Sequence, residues 1–174
     1  MESSVVSFIL VAVTLIIGLI TFSLFGIFSS QQYYYTNLQQ VAQNIANGFY
    51  ITISKNYTYQ GNVILFIIPM NFNYNGTIYL TIFYVDMIYY GNNYITPLFA
   101  KGYGKINYSS IINPPLVKLY YPDLREMYEG TIPLWKTVTG ALQILSFPQG
   151  YAALLMIFIK IEDKYIMVGY QWLR

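Results

Sequence analysis

The hydrophobic pattern of the chain changes twice along its length. Residues 5–28, VVSFILVAVTLIIGLITFSLFGIF, are uncharged and almost wholly apolar, with no periodic polar face. At 1.5 Å per residue such a run spans roughly 36 Å as a helix, enough for a hydrocarbon core of about 30 Å. Residues 29–47 keep a helical rhythm but turn polar. Tyr34, Leu38, Val41, Ala42, Ile45 and Phe49 fall on one stripe, while Gln39, Gln40, Gln43, Asn44 and Asn47 lie mostly elsewhere. No Gly or Pro interrupts that stretch, and Gly48 stands where a helix takes its left-handed terminal residue. The spacing therefore predicts one helix to about Asn47, a rod of roughly 65 Å. The alternative is a break at Ser29-Ser30 into two helices.

Beyond Gly48 the rhythm shortens to runs of β-branched and aromatic residues separated by Gly and Asn. They cover residues 49–59, 62–70, 76–90, 95–104, 115–121, 131–140, 141–147, 151–161 and 164–174. The last two flank Glu162-Asp163 and predict a closing hairpin. Seven to nine short strands at this spacing predict an antiparallel β-sandwich. The expected fold class is thus α+β. A long transmembrane and stalk helix (1–48) precedes an immunoglobulin-like β head (49–174), in the outline of a lollipop.

Composition limits what such a molecule can do. Charged residues make up only 9% of the 174, against the quarter usual in soluble proteins, and 20 tyrosines supply much of the apolar count. A net charge of +2 without a basic cluster gives no footprint for nucleic acid. With no Cys and no His, disulfides, thiolate chemistry, the usual nucleophile–base pairs and most zinc sites are excluded. The chain is read as a non-enzyme without cofactor. The missing imidazoles also leave little to titrate between about pH 5 and 8, which suits an acidic exterior.

For residues 5–28 a buried core helix and a cleaved signal peptide are the competing readings. The leader MESS has no basic region and no small-residue cleavage box follows, so an uncleaved membrane helix is expected. Three sequons, at Asn56, Asn75 and Asn107, favour placing the C-terminal domain outside the cell as N-glycosylation acceptors. Tyr33, Tyr34 and Tyr35 follow the apolar run where interfacial aromatics anchor helices; packing against neighbouring helices is the other reading.

Two further segments could carry chemistry. YPDLREMYEG gathers Asp123, Glu126 and Glu129; Pro122 and the acids predict a solvated helical turn, a cation site being the alternative. KGYGKINYSS holds Gly102 and Gly104 but lacks the strand–helix context of a phosphate loop, and reads as a turn between strands. Trp135 and Trp172 are expected in the core or an interface.

An N-terminal hydrophobic helix feeding a β domain resembles the archaeal type IV pilin-like superfamily. Within it, MESSVVSFILVAVTLIIGLI is similar to the N-termini of the archaellum accessory (stator) proteins F and G. The resemblance covers about residues 1–50 by pattern and the rest by architecture. It implies a cell-surface filament apparatus, with a membrane helix and an immunoglobulin-like head placed against the surface layer (S-layer). Processed pilins carry a basic residue and Gly ahead of the apolar segment; MESS has neither, which favours an uncleaved accessory protein or an unusual subunit.

One feature of the residues themselves bears on assembly. From Ser3 to Ser54 there is no charged residue. A helix standing alone in water normally carries charged i,i+4 pairs, whereas an uncharged one suits packing among sister helices. Tyr34, Leu38, Val41, Ile45 and Phe49 are the expected packing residues, in a homo-oligomer, in a filament or under the head. A membrane-anchored binding module, such as an adhesin, and a virion protein are the competing functions.

Overall fold

The computed structural model describes residues 2–107 and 109–174. One helix, α1 (Glu2–Asn47), runs without a break through Ser29-Ser30. Its continuity follows from the absence of Pro and from the way its hydroxyls are spent. Ser7, Thr14, Thr21 and Thr36 each donate to the carbonyl four residues back, at 2.8–2.9 Å, so they add no unpaired polar group to the surface. Nearly every side chain from Ser3 to Asn37 is exposed.

Two compact units divide the chain between Gln40 and Val41. The last turns of α1 therefore belong to the β unit, although the change of sequence pattern falls at Gly48. That unit contains β1 (Phe49–Ile53), β2 (Tyr57–Tyr59), β3 (Asn62–Asn71), β4 (Thr77–Val85), β5 (Gly102–Tyr103), β6 (Lys105–Asn107) and β7 (Ser110–Ile112). It continues with β8 (Val117–Tyr120), β9 (Glu126–Gly130), β10 (Leu134–Val138), β11 (Gln143–Pro148), β12 (Ala152–Ile161) and β13 (Lys164–Leu173).

Among the described residues these strands form two sheets. The smaller has the order β1-β3-β11-β6, with β2 beside β3; the larger has the order β7-β10-β4-β12-β13-β8-β9, with β5 beside β4. Pairing is antiparallel except between β13 and β8, which run parallel, so the larger sheet is mixed rather than purely antiparallel. The closing hairpin is present: β12 and β13 pair from Ile161↔Lys164 to Ala153↔Leu173. Glu162 takes a left-handed φ of 53° in its turn. Gln60 (φ 49°) and Gly61 (φ 74°) make the two-residue turn from β2 to β3, whose twist matches the strands it joins.

The centre of the larger sheet is β12, where eight consecutive residues from Ala152 are buried. One of its faces presents Leu154, Met156 and Phe158, in a cluster with Phe83, Leu119, Met127 and Leu134. The other presents Leu155 and Ile157 beside Ile82 and Leu80 of β4, all fully buried. Burial on both faces explains why this strand is a continuous apolar run instead of an alternating one. In the smaller sheet Val63, Leu65 and Ile67 alternate with half-buried residues, the signature of one covered face.

Three segments differ from the sequence expectation. Residues 95–104 are not a strand throughout: residues 97–99 form a 3-10 turn led by Pro97, and only β5 follows. KGYGKINYSS is not a turn either, since it supplies β5 to the larger sheet and β6 to the smaller one. Gly104 is the crossing point; its N–H donates to Ile82 O, and a Cβ there would lie 2.8 Å from Ser146 O. Only glycine lets the chain pass that closely between two backbones. The third segment, YPDLREMYEG, is described with the site below.

Candidate functional site

The expected packing stripe divides between two structural settings. Leu38, Ala42 and Ile45 are buried, whereas Tyr34 and Val41 are 39% and 43% exposed. Phe49 leaves the stripe altogether: it opens β1, and its ring lies where a Cβ on Gly169 of β13 would come within 2.9 Å. The exposed part of the stripe is thus Tyr34 and Val41, flanked by Gln40 and Gln43, with Tyr33 and Tyr35 also open. The rings of Tyr34 and Tyr35 meet edge to face at 5.7 Å.

The helix ends by a device that the local sequence does not carry. Gly48 is not left-handed. Instead its lack of a side chain leaves room for Asn71 and Asn73, whose amides would lie 2.7–2.9 Å from a Cβ at that position. The Asn71 Nδ2 donates to Ile45 O at 2.6 Å and the Asn73 Nδ2 to Asn44 O at 2.8 Å. Carbonyls that a helix terminus leaves without partners are capped by the end of β3 and the residues after it. Phe72 N–H closes the junction on Gly48 O. Residues 41–47 are therefore fixed to the β domain by side-chain hydrogen bonds as well as by apolar burial.

The acidic group of YPDLREMYEG is not a helix. The chain turns at Pro122-Asp123, Leu124 takes a φ of 65°, and Glu126 already belongs to β9. The same residues that favour a helix start also favour a tight turn, and here Arg125 decides. Its N–H and Nε both donate to the Asp123 carboxylate, the latter at 2.6 Å. Burial pushes the Asp123 pKa up, but the Arg125 hydrogen bonds outweigh it and hold the carboxyl below its ordinary range. Glu129 pairs instead with Lys118 across the β8–β9 ladder at 3.0 Å. The three carboxylates are not gathered, and among the described residues no cluster suited to a metal ion occurs.

Asn56, Asn75 and Asn107 are all exposed; Tyr108, the middle residue of the third sequon, lies outside the described residues. Asn56 donates to Arg174 O at 3.1 Å, and Asn75 accepts from Thr139 at 3.1 Å. Trp135 is buried in β10, and Trp172 packs against the core cluster with Tyr90 edge-on at 5.7 Å. Tyr103 is held against Tyr128; burial first, then that neighbour, pushes its phenol up to about 12.

Two surface features went unseen in the sequence. Residues 87–100 form an uncharged apron whose neck is tied by Asp86 and Lys101 at 3.3 Å, and whose outer side shows Ile88, Tyr94 and Leu98, each at least 76% exposed. The second is a groove between β1 and β13. It holds a cavity of about 340 Å³ lined by Phe49, Tyr50, Ile51, Val168, Gly169 and Tyr170, and another of about 250 Å³ at Lys55 and Arg174. An edge-strand groove has no local sequence signature, because it arises from which strands are left unpaired.

No protein-family profile, no curated protein and no solved structure matches this chain.

Proposed function

We propose that the chain is a structural or accessory subunit of a type IV pilus-like or archaellum-like cell-surface apparatus of archaea. In this reading α1 anchors it in the membrane and an immunoglobulin-like β-sandwich outside makes protein contacts, the surface layer among them. The observation that carries the proposal is the helix itself. It is 46 residues long, unbroken, free of charge after Glu2, and exposed along its apolar length. Seventeen apolar side chains between Val5 and Phe28 are open to their surroundings, which in water would be a severe cost. Lipid covers the first part of such a helix, and sister helices cover the uncharged polar part at residues 29–37. A bare anchor for a binding module has no need of that second, stiff part.

The two sheets, each with an alternating or doubly buried apolar pattern and joined by the crossing at Gly104, support the sandwich reading of the head. The exposed asparagines of the three sequons support an outside location.

The test is intact-mass measurement of the native protein from sheared filaments and from washed membranes. An unprocessed mass, with or without added sugar, in a filament or apparatus fraction supports the reading. A protein found only in membranes as a monomer, still functional when residues 29–37 are replaced by a flexible linker, would leave the membrane-anchored binding module standing instead.

A further inference from the structure

Two sheet edges lie open on the same side of the β domain. β13 is paired with β12 along its whole length, but on its other side it meets β8 only at Tyr165 and Ile166. The cause is local. Proline carries no N–H, so at Pro122 the chain can no longer donate to the ladder, and Leu124 at φ 65° turns it back into β9. The edge of β13 from Met167 to Leu173 is thereby left without a partner strand. β1 is the second open edge: it ends the smaller sheet and pairs with β3 alone.

Between these edges run the two cavities described above. The floor is core: Val168 and Leu65, 3% and 4% exposed, line the first and second cavity respectively. The register of β13 shifts between Ile157 and Phe158 of its partner, so Val168 is an extra residue on that strand. Bulges of this kind re-aim a strand and add twist next to binding sites. Gly169 lets the Phe49 ring of β1 pack directly against β13, so β1 closes on β13 at that end of the first cavity.

Unpaired main-chain donors and acceptors above an apolar floor are the chemistry that recognises an extended peptide. Charge gives the ligand a polarity. Among the described residues Lys55 and Arg174 are the only charged side chains lining either cavity, both at one end, and neither pairs with a carboxylate there. Arg174 instead rests its guanidinium over the Tyr90 ring at 5.4 Å.

We propose that this groove takes an extended strand of a partner protein, which adds to the free edge of β13, points alternate apolar side chains at Val168 and Leu65, and sets a carboxylate beside Lys55 and Arg174. The proposal does not depend on a filament role, since an accessory protein and a binding module could each use such an edge.

The experiment uses the full-length chain in detergent micelles and three blocked peptides. One is acetyl-Glu-Thr-Val-Thr-Val-Thr-Val-amide, one has the same residues in reverse order, and one has Lys in place of Glu. Binding is read by fluorescence polarisation, and backbone hydrogen exchange maps its position. One of the two Glu peptides should bind and slow exchange across residues 167–173, while the Lys peptide binds about tenfold more weakly, the worth of two exposed charge pairs. The exposed changes Lys55→Glu and Arg174→Glu together should reverse that preference and leave the melting temperature unchanged. Three results would overturn the proposal. They are unchanged exchange at millimolar peptide, a Glu preference untouched by the double variant, and protection of 167–173 that rises with protein concentration alone, which would assign the edge to a second copy.

Discussion

The N-terminal helix and strand β12 are both runs of apolar residues, yet they meet opposite fates. From Val5 to Phe28 the side chains of α1 are open on every face, while those of β12 from Ala152 to Ile159 are buried on both. Hydrophobicity alone does not distinguish them. What differs is supply: the β domain provides two covering layers for β12, and nothing among the described residues covers α1 from Val5 to Phe28. The helix is long and apolar enough to cross a membrane, and in the proposed reading lipid is its cover. In the same proposed reading sister helices cover the uncharged polar continuation at residues 29–37.

The contrast can be broken most sharply in the core. Phe158→Ala should cost about 3–5 kcal/mol of β-domain stability, read by chemical denaturation in detergent. Leu15→Ala, a change of the same kind on α1, should leave that stability within about 0.5 kcal/mol. Placing charge on the helix reverses the ranking. Leu15→Arg should raise the cost of membrane insertion by about 2.5–3.5 kcal/mol, measured as the inserted fraction in microsomes, without moving the denaturation midpoint of the β domain.

Further along, Gln40→Lys and Gln43→Lys test the uncharged continuation. Each should leave the folded monomer intact and abolish or strongly weaken assembly in sheared-filament fractions; normal assembly of both variants would remove sister helices as its cover. A smaller effect is expected at the helix end. Asn71→Ala removes the amide that caps Ile45 O and should cost about 1 kcal/mol, with faster hydrogen exchange over residues 41–47. Gly48→Ala should act in the same place, because its methyl group displaces Asn71 and Asn73.

The mildest prediction concerns pH. Without histidine, stability should be nearly flat between pH 5 and 8. The folded pKa of Asp123 is depressed, so its contribution is present above its unfolded value and is lost as pH falls below about 3.8. Tyr103 is raised to about 12, so its neutral form is favoured on folding. Its contribution is whole below about pH 10 and is lost as pH climbs from there toward 12. Thermal melts from pH 3 to 11 check both ends.

Much of the architecture was legible in the sequence because its causes are local. The long helix follows from a stretch without Pro and with continuous helical spacing, and the β12–β13 hairpin follows from Glu162-Asp163 between two β-rich runs. The failures have non-local causes. Gly48 reads as a left-handed cap, but its partners are Asn71 and Asn73, more than twenty residues later. Gly104 reads as a turn glycine because nothing nearby reveals that Ser146 O passes beside it. Asp123 to Glu129 read as a helical turn because a proline followed by acids serves a helix start and a β-turn equally. Of the packing residues, the periodicity found Leu38 and Ile45 but could not separate them from Tyr34 and Val41, which share the stripe and stay exposed. The groove was invisible, since it depends on where Pro122 stops β8 from following β13.

The absence of cysteine allows the proposal that copies of α1 cover one another along residues 29–43 to be tested directly. Single changes to Cys at each position from 29 to 43 would be probed in intact cells with a membrane-impermeant maleimide and with an oxidant. Packing among sister helices should give protection that repeats every three to four residues and includes Tyr34 and Val41, with disulfide-linked dimers at the protected positions. Uniform labelling of the exposed positions, with no cross-linked species anywhere along the stretch, would contradict it.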